Sequence, residues 1–595
     1  MLEEMLRRYD ARADGFEFSD LSGEVGAIAS QERASAAGVP LAVQAEQLAF
    51  DLQPHYGPDK SGWDTCYGPL MSGGGREYPA QSAITADMVA YWAGRARQAA
   101  HPLLRLRYAD LAWDFWRKAR ADKCPPDLPR VMIDAAVEVA RRGVTAHKTE
   151  PIRQLQRALG VAIGIKATQE QLGRVRNAIL AYEDAVAVDH LAGLWGFSFD
   201  LLINNKKAGV TEYQAGKIVA DLEARLDRLS ALPDERLDPH DVQHAAVRLA
   251  DHYRRLQRLD DMRRVLRLYA RAFLRKAAAG PQMTASAWLL GVHKTLVRYG
   301  LNGDAKAILP YYSEAGRRAV GEMGRHEVSV DVPRDELDAY LESQTSGSWD
   351  EVFGRITRQC VLWREAEMQR LREVHGTTDL LNLFGTTLVD RGGRTVARIG
   401  PLDDDPEGNL VHHMGRMMGC GAVFLRAVMQ RLIDTRGLDW SVIEAQIRPC
   451  PVFTDGDWPV LERAVGAYLA EDWIVAVHLL IPRLEAAVRA LVSSQGGDYL
   501  KESKSGGMQY RTLDDLLRDD TLEKCLPQDV RFYLRTLLTD QRGWNLRNDV
   551  CHGIDPVQGF TAATADRLFH ALLVIGRLRL KGEPQLPSQE PESTK

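Results

Sequence analysis

AHPLLRLRYADLAWDFWRKA, residues 100–119, has the pattern of one amphipathic helix. It begins with Pro102, a residue favoured in the first turn of a helix, and its apolar residues then recur at helical spacing. Those apolar residues include Leu103, Leu106, Tyr108 and Leu111. Arg105, Arg107 and Asp110 fall between them, and we expect these charged side chains to face solvent. The stretch therefore predicts a helix with one face in a core.

Further helical patterns follow, with short connections that often carry Gly or Pro. They are predicted at 129–142, 151–160, 168–188, 211–231, 239–257, 260–277, 283–299 and 303–323. Successive antiparallel helices of this length indicate a solenoid-like or bundled array. We find no repeat of fixed period, so the array is not assigned to a repeat family.

Strand patterns are scarce. Residues 326–335 alternate between apolar and polar, and 386–400 are predicted to form a hairpin with a Gly-Gly pair near its turn. Residues 409–436 return to a helical pattern. The acidic stretch 403–408 is predicted to be a solvated turn rather than a metal site.

The C-terminal part is predicted to hold four helices. Helix one runs from Asp472 to Ser494, and a flexible loop over 493–507 follows it. Helix two starts at Thr512, where Asp515 completes a capping-box pattern. The remaining two are predicted from about Pro527 and over 561–580.

Length and composition bound the organisation. The 595 residues suffice for several domains, and 45% hydrophobic with 26% charged residues is typical of a globular protein. The fold class is predicted to be mainly α. The predicted segments are a mixed 1–84, a helical array 85–325, a helical linker domain with a β hairpin 326–454, a helical domain 455–582 and a disordered tail 583–595.

Charge and cysteine usage indicate the compartment. The net charge of −5 argues against sequence-blind binding of nucleic acid by the whole surface, so any such contact needs a local basic site. Seven widely spaced cysteines without a CxxC pair predict neither a disulfide framework nor a zinc site. With no signal-peptide pattern and no membrane-length apolar run, we expect a soluble cytoplasmic protein without membrane contact, cofactor or catalytic metal.

WNLRNDVCHG, residues 544–553, is the one compact set of catalytic residue types. Arg547 is a permanent cation whose planar donors suit phosphate, and His552 suits proton transfer near neutral pH. On a straight helix the two lie about 140° apart, so one helix does not aim both at one point. A left-handed Gly553 would end the helix and free His552, and pairing between two copies would also bring an Arg and a His together.

Helices with NLRNDVCHG before the last one resemble the HEPN superfamily, and in particular a bacterial group of unknown function with a helical N-terminal region and a C-terminal HEPN-like four-helix bundle. HLLIPRLEAAVRAL at 478–491, with Glu485 and Arg489 as structural residues, fits that group, as does HPLLRLRYADLAWDF at 101–115. In ribonucleolytic members the motif is an Arg, then four to six residues, then a His, and a polar residue often follows the Arg directly. Arg547, Asn548 and His552 match this motif.

The resemblance implies a metal-independent endoribonuclease that forms homodimers through its C-terminal domain and acts in phage defence or as a regulated toxin. Arg547 would stabilise the transition state, His552 would transfer a proton, and Asn548 would orient the phosphate or His552. Lys501 and Lys504 are predicted to contact RNA. A protein or signal partner is expected on the N-terminal array.

Three alternatives stay open. The HEPN-like domain is a non-catalytic module that binds RNA or a nucleotide, or the helical array makes the chain a scaffold for protein partners. A purely structural interpretation of the motif has Arg547 paired with Asp549 or a neighbouring acid, and His552 at a helix end. In that case neither residue acts on RNA.

Overall fold

A computed structural model describes residues 1–34, 38–55, 64–73, 76–120, 122–324, 331–375, 385–554 and 557–579. Helices make up most of these ranges, and the strands within them pair two by two, which confirms the mainly α fold. None of the helices in these ranges combines the length and the apolar character that a membrane span requires. The chain divides into two compact units, Met1–Ala315 and Gly316–Lys595.

The first unit is an array of helices with two small antiparallel sheets near its N-terminal end. Its helices are α1 (Leu2–Asp10), α2 (Phe18–Arg33), α3 (Leu41–Asp51), α4 (Ala86–Gln98), α5 (Pro102–Ala119), α6 (Asp127–Arg142), α7 (Glu150–Gly164), α8 (Gln169–Val186), α9 (Glu212–Ser230), α10 (Pro239–Arg255), α11 (Leu259–Ala279), α12 (Gln282–Arg298) and most of α13 (Asn302–Glu322). In the sheets, β1 (Gln53–Pro54) pairs with β2 (Tyr67–Gly68), and β3 (Met71–Gly73) pairs with β4 (Arg76–Tyr78).

Consecutive helices of this unit pack on one another, as the predicted array requires: α4 on α5, α5 on α6 and α10 on α11. The predicted helices are confirmed, and the least accurate of them, 151–160, is observed as Glu150–Gly164. Local signals explain this agreement. Thr168 and Thr211 each cap a helix with a complete capping box, and these contacts depend only on residues within one turn.

One hydrophobic core runs through the first unit. Leu6 and Phe50, from the predicted mixed segment 1–84, belong to the same core as Leu249 in the helical array. The predicted division at 84/85 therefore falls inside a core rather than between two cores.

Helix α5 is covered on several sides, because it contacts α3, α4 and α6 together. The expectation that Arg107 and Asp110 face solvent is wrong, since only 4% and 1% of these residues are exposed. Arg107 Nε donates to the carbonyl of Ala49 at 2.6 Å, and Asp110 accepts from Arg157 Nε at 2.9 Å. Buried charges need such partners. Arg105 is half-buried.

The second unit contains the end of α13, further helices and two hairpins. Its helices are α14 (Arg334–Thr345), α15 (Trp349–Gln359), α16 (Arg364–His375), α17 (Pro406–Cys420), α18 (Ala422–Arg436), α19 (Trp440–Ile447), α20 (Trp458–Leu469), α21 (Trp473–Ser494), α22 (Leu513–Leu517), α23 (Gln528–Leu538), α24 (Leu546–Cys551) and α25 (Ala562–Gly576). The hairpins are β5 (Thr386–Val389) with β6 (Thr395–Ile399), and β7 (Leu500–Glu502) with β8 (Met508–Tyr510).

The predicted hairpin at 386–400 is confirmed, and its turn includes Gly393 at φ +74°. The helical pattern predicted over 409–436 is confirmed as two helices, α17 and α18, which are separated at Gly421, a residue of low helix propensity. Half of the alternating stretch, residues 326–330, lies outside the described residues, and α14 already begins at Arg334.

The flexible loop predicted over 493–507 is also corrected, because β7 falls within it and pairs with β8. Ser503 N–H donates to the Gly507 carbonyl at 2.6 Å, and Gly506 takes φ +83° in the turn. Each strand has three residues, too few for an alternating pattern to be visible in the sequence.

Helix α25 lies at the centre of the second unit and packs on α15, α18, α19 and α21. The segments predicted as 326–454 and 455–582 therefore share one core. Helices one to three are confirmed as α21, α22 and α23, with the capping box of Thr512 and Asp515 in place. The predicted last helix, 561–580, is observed as Ala562–Gly576, and the predicted tail lies outside the described residues.

Candidate active site

The motif lies on α24, a helix of only six residues. Leu546 and Val550 are buried and anchor it in the core. Asn545 precedes the helix in a left-handed conformation at φ +53°, and His552 follows as the C-terminal cap. Gly553 has φ +63°, the left-handed conformation that would end the helix and free His552. The helix thus ends at the histidine of the motif.

Arg547 is held by a carboxylate from α21. Its Nε donates to Glu485 Oε2 at 2.9 Å, and its Nη2 lies 3.5 Å from Oε1. Arg489, one turn along α21, donates from Nη2 to the same Oε1 at 3.1 Å. Two guanidinium groups therefore share one carboxylate, so these three side chains carry one net positive charge. The hydrogen bond to Glu485 raises the pKa of Arg547 and keeps it cationic.

An acid partner for Arg547 and a helix that ends at His552 are both features of the structural alternative, but the acid is not Asp549. That alternative named Asp549 or another neighbouring acid, whereas Glu485 is 62 residues away in the sequence. Glu485 and Arg489 were predicted only as structural residues of helix one. The tertiary structure places both beside the arginine of the motif.

Asn548 is fixed by its own hydrogen bonds. Its Nδ2 donates to Asn545 Oδ1 at 2.7 Å and to the Thr539 carbonyl at 3.3 Å, while its Oδ1 accepts from Arg547 Nη1 at 3.3 Å. Among the described residues, no hydrogen bond joins this amide to the ring of His552. Asn548 therefore orients Arg547 and ties α24 to the end of α23.

His552 is exposed, and its ring has no hydrogen bond within the part of the chain that the structure describes. Its backbone N–H donates to the Asn548 carbonyl at 3.0 Å, which closes the last turn of α24. The structure thus presents His552 to solvent while Arg547 is turned to α21. No direct hydrogen bond between described atoms brings Arg547 and His552 together within one chain.

The two predicted RNA-binding lysines lie on the hairpin of β7 and β8. Lys501 is paired with Asp515, with Nζ and Oδ2 3.0 Å apart, and Asp515 also accepts from the backbone N–H of Thr512 at the start of α22. Lys504 is exposed in the turn and has no ion pair with another described residue. Of the two, only Lys504 has a positive charge that no described carboxylate compensates.

Tyr510 is the residue near the motif that the sequence did not reveal. It is 61% exposed, and the Arg489 guanidinium lies 4.4 Å from its ring centroid, a cation–π contact. Its ring also stacks on Tyr499 across the hairpin, with centroids 6.4 Å apart. Two tyrosines flanking a Gly- and Ser-rich turn are the signal in the sequence that could have drawn attention to this surface.

Metal ligands are not assembled in the described ranges: no group of three or more His, Cys, Asp or Glu is placed to hold an ion. In the acidic stretch 403–408, Asp405 accepts a hydrogen bond from the backbone N–H of Gly408 at 2.9 Å and so caps α17. The turn predicted over 403–408 therefore ends at Asp405, because residues 406–408 form the first turn of α17 and Gly408 is buried.

Comparison of the chain with protein-family models, with curated proteins and with solved structures gave no match.

Proposed function

We propose that the chain is a metal-independent endoribonuclease of HEPN type, with Arg547 and His552 as its catalytic residues. The observation that carries the proposal is the arrangement around α24. A cationic arginine is held in place by Glu485 and Asn548, and an exposed histidine ends the same short helix. A fixed cation and an accessible proton-transfer group are the two components that phosphodiester cleavage without a metal needs.

The guanidinium of Arg547 retains donors for a phosphate. Of its five N–H groups, Nε and one on each Nη contact Glu485 or Asn548. One N–H on each Nη then remains without a partner among the described residues. Two such donors on a planar cation suit two oxygens of one phosphate.

The reaction we propose is transesterification. The ribose 2′-oxygen attacks phosphorus, its proton passes to a histidine, and the bond from phosphorus to the 5′-oxygen breaks. A second protonated group donates to the leaving 5′-oxygen, and Arg547 stabilises the charge on the equatorial oxygens. The products are a 2′,3′-cyclic phosphate and a 5′-hydroxyl.

Two copies of the chain complete the site in this proposal. Arg547 turns to α21, whereas His552 is exposed at the end of α24. Two copies meeting through their C-terminal domains would place His552 of one beside Arg547 of the other. They would also supply two histidines, one to accept a proton and one to donate it.

One observation favours the binding-only alternative. A catalytic histidine usually has a partner that orients its ring, and His552 has none among the described residues. A non-catalytic module would use Arg547, Lys504 and Tyr510 to bind RNA and would cleave nothing. The same experiment separates these two functions.

The test uses the full chain and a labelled single-stranded RNA. Arg547→Ala and His552→Ala should each lower the cleavage rate by roughly 100-fold or more. Arg463→Ala and His478→Ala, at exposed positions of the same unit, are matched controls and should cleave like the wild type. Cleavage should continue in EDTA, and 2′-O-methyl RNA should resist because its nucleophile is blocked.

The outcomes are distinct. Wild-type cleavage that both motif variants retain would refute this site. RNA binding without cleavage by the wild type, weakened in Arg547→Ala, would instead establish the binding module. A wild type that neither cleaves nor binds RNA would leave the scaffold interpretation.

A further inference from the structure

The first unit contains a cavity of about 630 Å³ between α2, α3, α5 and α7. This volume lies in the range of pockets that hold small organic molecules. The cavity belongs to the first unit alone and is independent of the motif on α24.

One wall of the cavity is aromatic. Phe18 stacks on Phe50 with centroids 5.7 Å apart, and Phe16 meets Phe18 edge-on at 6.1 Å. The buried Arg107 guanidinium lies 5.1 Å from the Phe18 centroid and 4.6 Å from that of Tyr67. This wall offers flat apolar surface to a ligand.

The floor of the cavity is formed by charged side chains that are already paired with one another. Arg157 donates from Nε to Asp110 at 2.9 Å and from Nη2 to Asp114 at 3.0 Å. The Tyr67 hydroxyl donates to the second oxygen of Asp110 at 3.1 Å. Arg157 is thus neutralised by two carboxylates, and it has little positive charge left to attract an anion.

Two acceptors on α7 have no hydrogen-bond donor among the described residues. Gln154 Oε1 is buried and has no hydrogen-bond partner in the described chain. Glu150 lies one turn earlier on the same face of α7, and its carboxylate accepts no hydrogen bond from a described residue. Glu150 is half-buried, and this burial raises the pKa of its carboxyl more than the nearby His147 and Arg153 lower it. Both groups lack an N–H or O–H partner.

The side chains that line the cavity include more carboxylates than guanidinium groups. Four carboxylates line the cavity, those of Glu17, Asp51, Asp110 and Glu150. Three guanidinium groups oppose them, those of Arg107, Arg153 and Arg157. His147 also lines the cavity, with its Nε2 3.9 Å from Glu17 Oε1, and it adds a positive charge only when protonated. Asp114 lies behind Arg157 and adds a further negative charge. The balance favours a cation over an anion.

We propose that this cavity binds a small organic cation, a protonated amine or amidine on an apolar body. Its N–H groups donate to Gln154 Oε1 and to the Glu150 carboxylate. Its body packs on the wall formed by Phe18 and Phe50. The ligand thus supplies the donors that the two acceptors lack.

Calorimetric titration of the full chain tests this with phenethylammonium as the probe. Two compounds with a similar apolar body serve as comparisons: phenethyl alcohol is neutral, and phenylpropionate is anionic. We expect the cation to bind about tenfold or more tightly than the alcohol, since hydrogen bonds to charged groups are the stronger ones. Glu150→Gln should remove most of that preference. Glu212→Gln, at an exposed position of α9, should preserve it.

A second variant blocks the cavity without touching its polar groups. Gly23 lines the cavity from α2, and a Cβ built there meets no heavy atom within 4 Å. Gly23→Leu should therefore fold, because leucine favours a helix more than glycine does, and it should abolish binding.

Four results would overturn the proposal. The proposal is overturned by a folded wild type that shows no saturable binding of the cation at millimolar concentration. It is also overturned by equal affinity for the alcohol, by preference for the carboxylate, or by unchanged binding in both Glu150→Gln and Gly23→Leu.

Discussion

Glu485→Gln separates the two tasks that the carboxylate performs beside Arg547. The amide has nearly the same size, and its oxygen can still accept from the Arg547 guanidinium, but its negative charge is gone. The net charge of the three side chains Glu485, Arg489 and Arg547 rises from +1 to +2. We therefore expect the variant to bind RNA more tightly and to cleave it more slowly.

The size of each effect follows from the geometry. A phosphate about 6 Å from the Glu485 carboxylate is repelled by roughly 3 kcal/mol at an effective dielectric constant of about 20. The side chains of Glu485 and Arg547 are 16% and 24% exposed, so water and salt reduce this repulsion. About 1 kcal/mol remains, which lowers the Kd for RNA roughly fivefold. A less firmly oriented Arg547 should lower the cleavage rate about tenfold or more.

Fluorescence anisotropy with 2′-O-methyl RNA measures binding without cleavage, and single-turnover assays with ordinary RNA measure the rate. Glu462→Gln, at an exposed position of α20, has the same change of charge away from the motif and is the control. The reasoning is refuted if Glu485→Gln binds RNA more weakly, or if both its binding and its cleavage equal those of the wild type.

Acid should destabilise the second unit through His570. The ring of His570 donates from Nε2 to the Ile356 carbonyl and accepts from the Tyr533 hydroxyl. Burial lowers the pKa of His570 to about 3. This pKa lies below the value of about 6.5 in the unfolded chain, so the neutral ring contributes fully to the free energy of unfolding above about pH 6.5. The contribution is lost as the pH falls towards about 3, and the loss is about 3 kcal/mol at about pH 4. Urea unfolding followed by circular dichroism should show a flatter dependence on pH for His570→Gln, and an unchanged dependence would assign the effect to other groups. Gly553→Ala should lose about 1 kcal/mol at its positive φ and should also slow cleavage by displacing the end of α24. Gly437→Ala, at φ +63° after α18, should lose similar stability and keep its cleavage rate, and equal slowing in both variants would contradict a local role for Gly553.

Most helices could be predicted because their signals are local. Apolar residues three and four apart share a face wherever the chain is helical. Caps such as Thr168 and Thr512 bond to residues within the next turn, so their partners are readable from the sequence. Short strands such as β7 and β8 escaped prediction because three residues carry no measurable period.

In the candidate site, too, the sequence revealed the residues that stand close together in the chain but not their distant partner. Arg547, Asn548 and His552 were found as a motif because they stand close together in the sequence. A left-handed Gly553 could be considered from the sequence because glycine tolerates that conformation, and the structure has it at φ +63°. Glu485 was singled out only through a resemblance, and nothing in the sequence indicated that its carboxylate would meet Arg547.

The sequence by itself determined the helices, their caps and the order of residues in the motif, because all of these depend on neighbours within about one turn. Only the tertiary structure decided that Arg107 and Asp110 are buried and that Glu485 holds Arg547. A charged side chain on a helix has no preferred environment until other helices pack around it. Its partner is set by three-dimensional packing across many residues of sequence, and no local pattern encodes that choice.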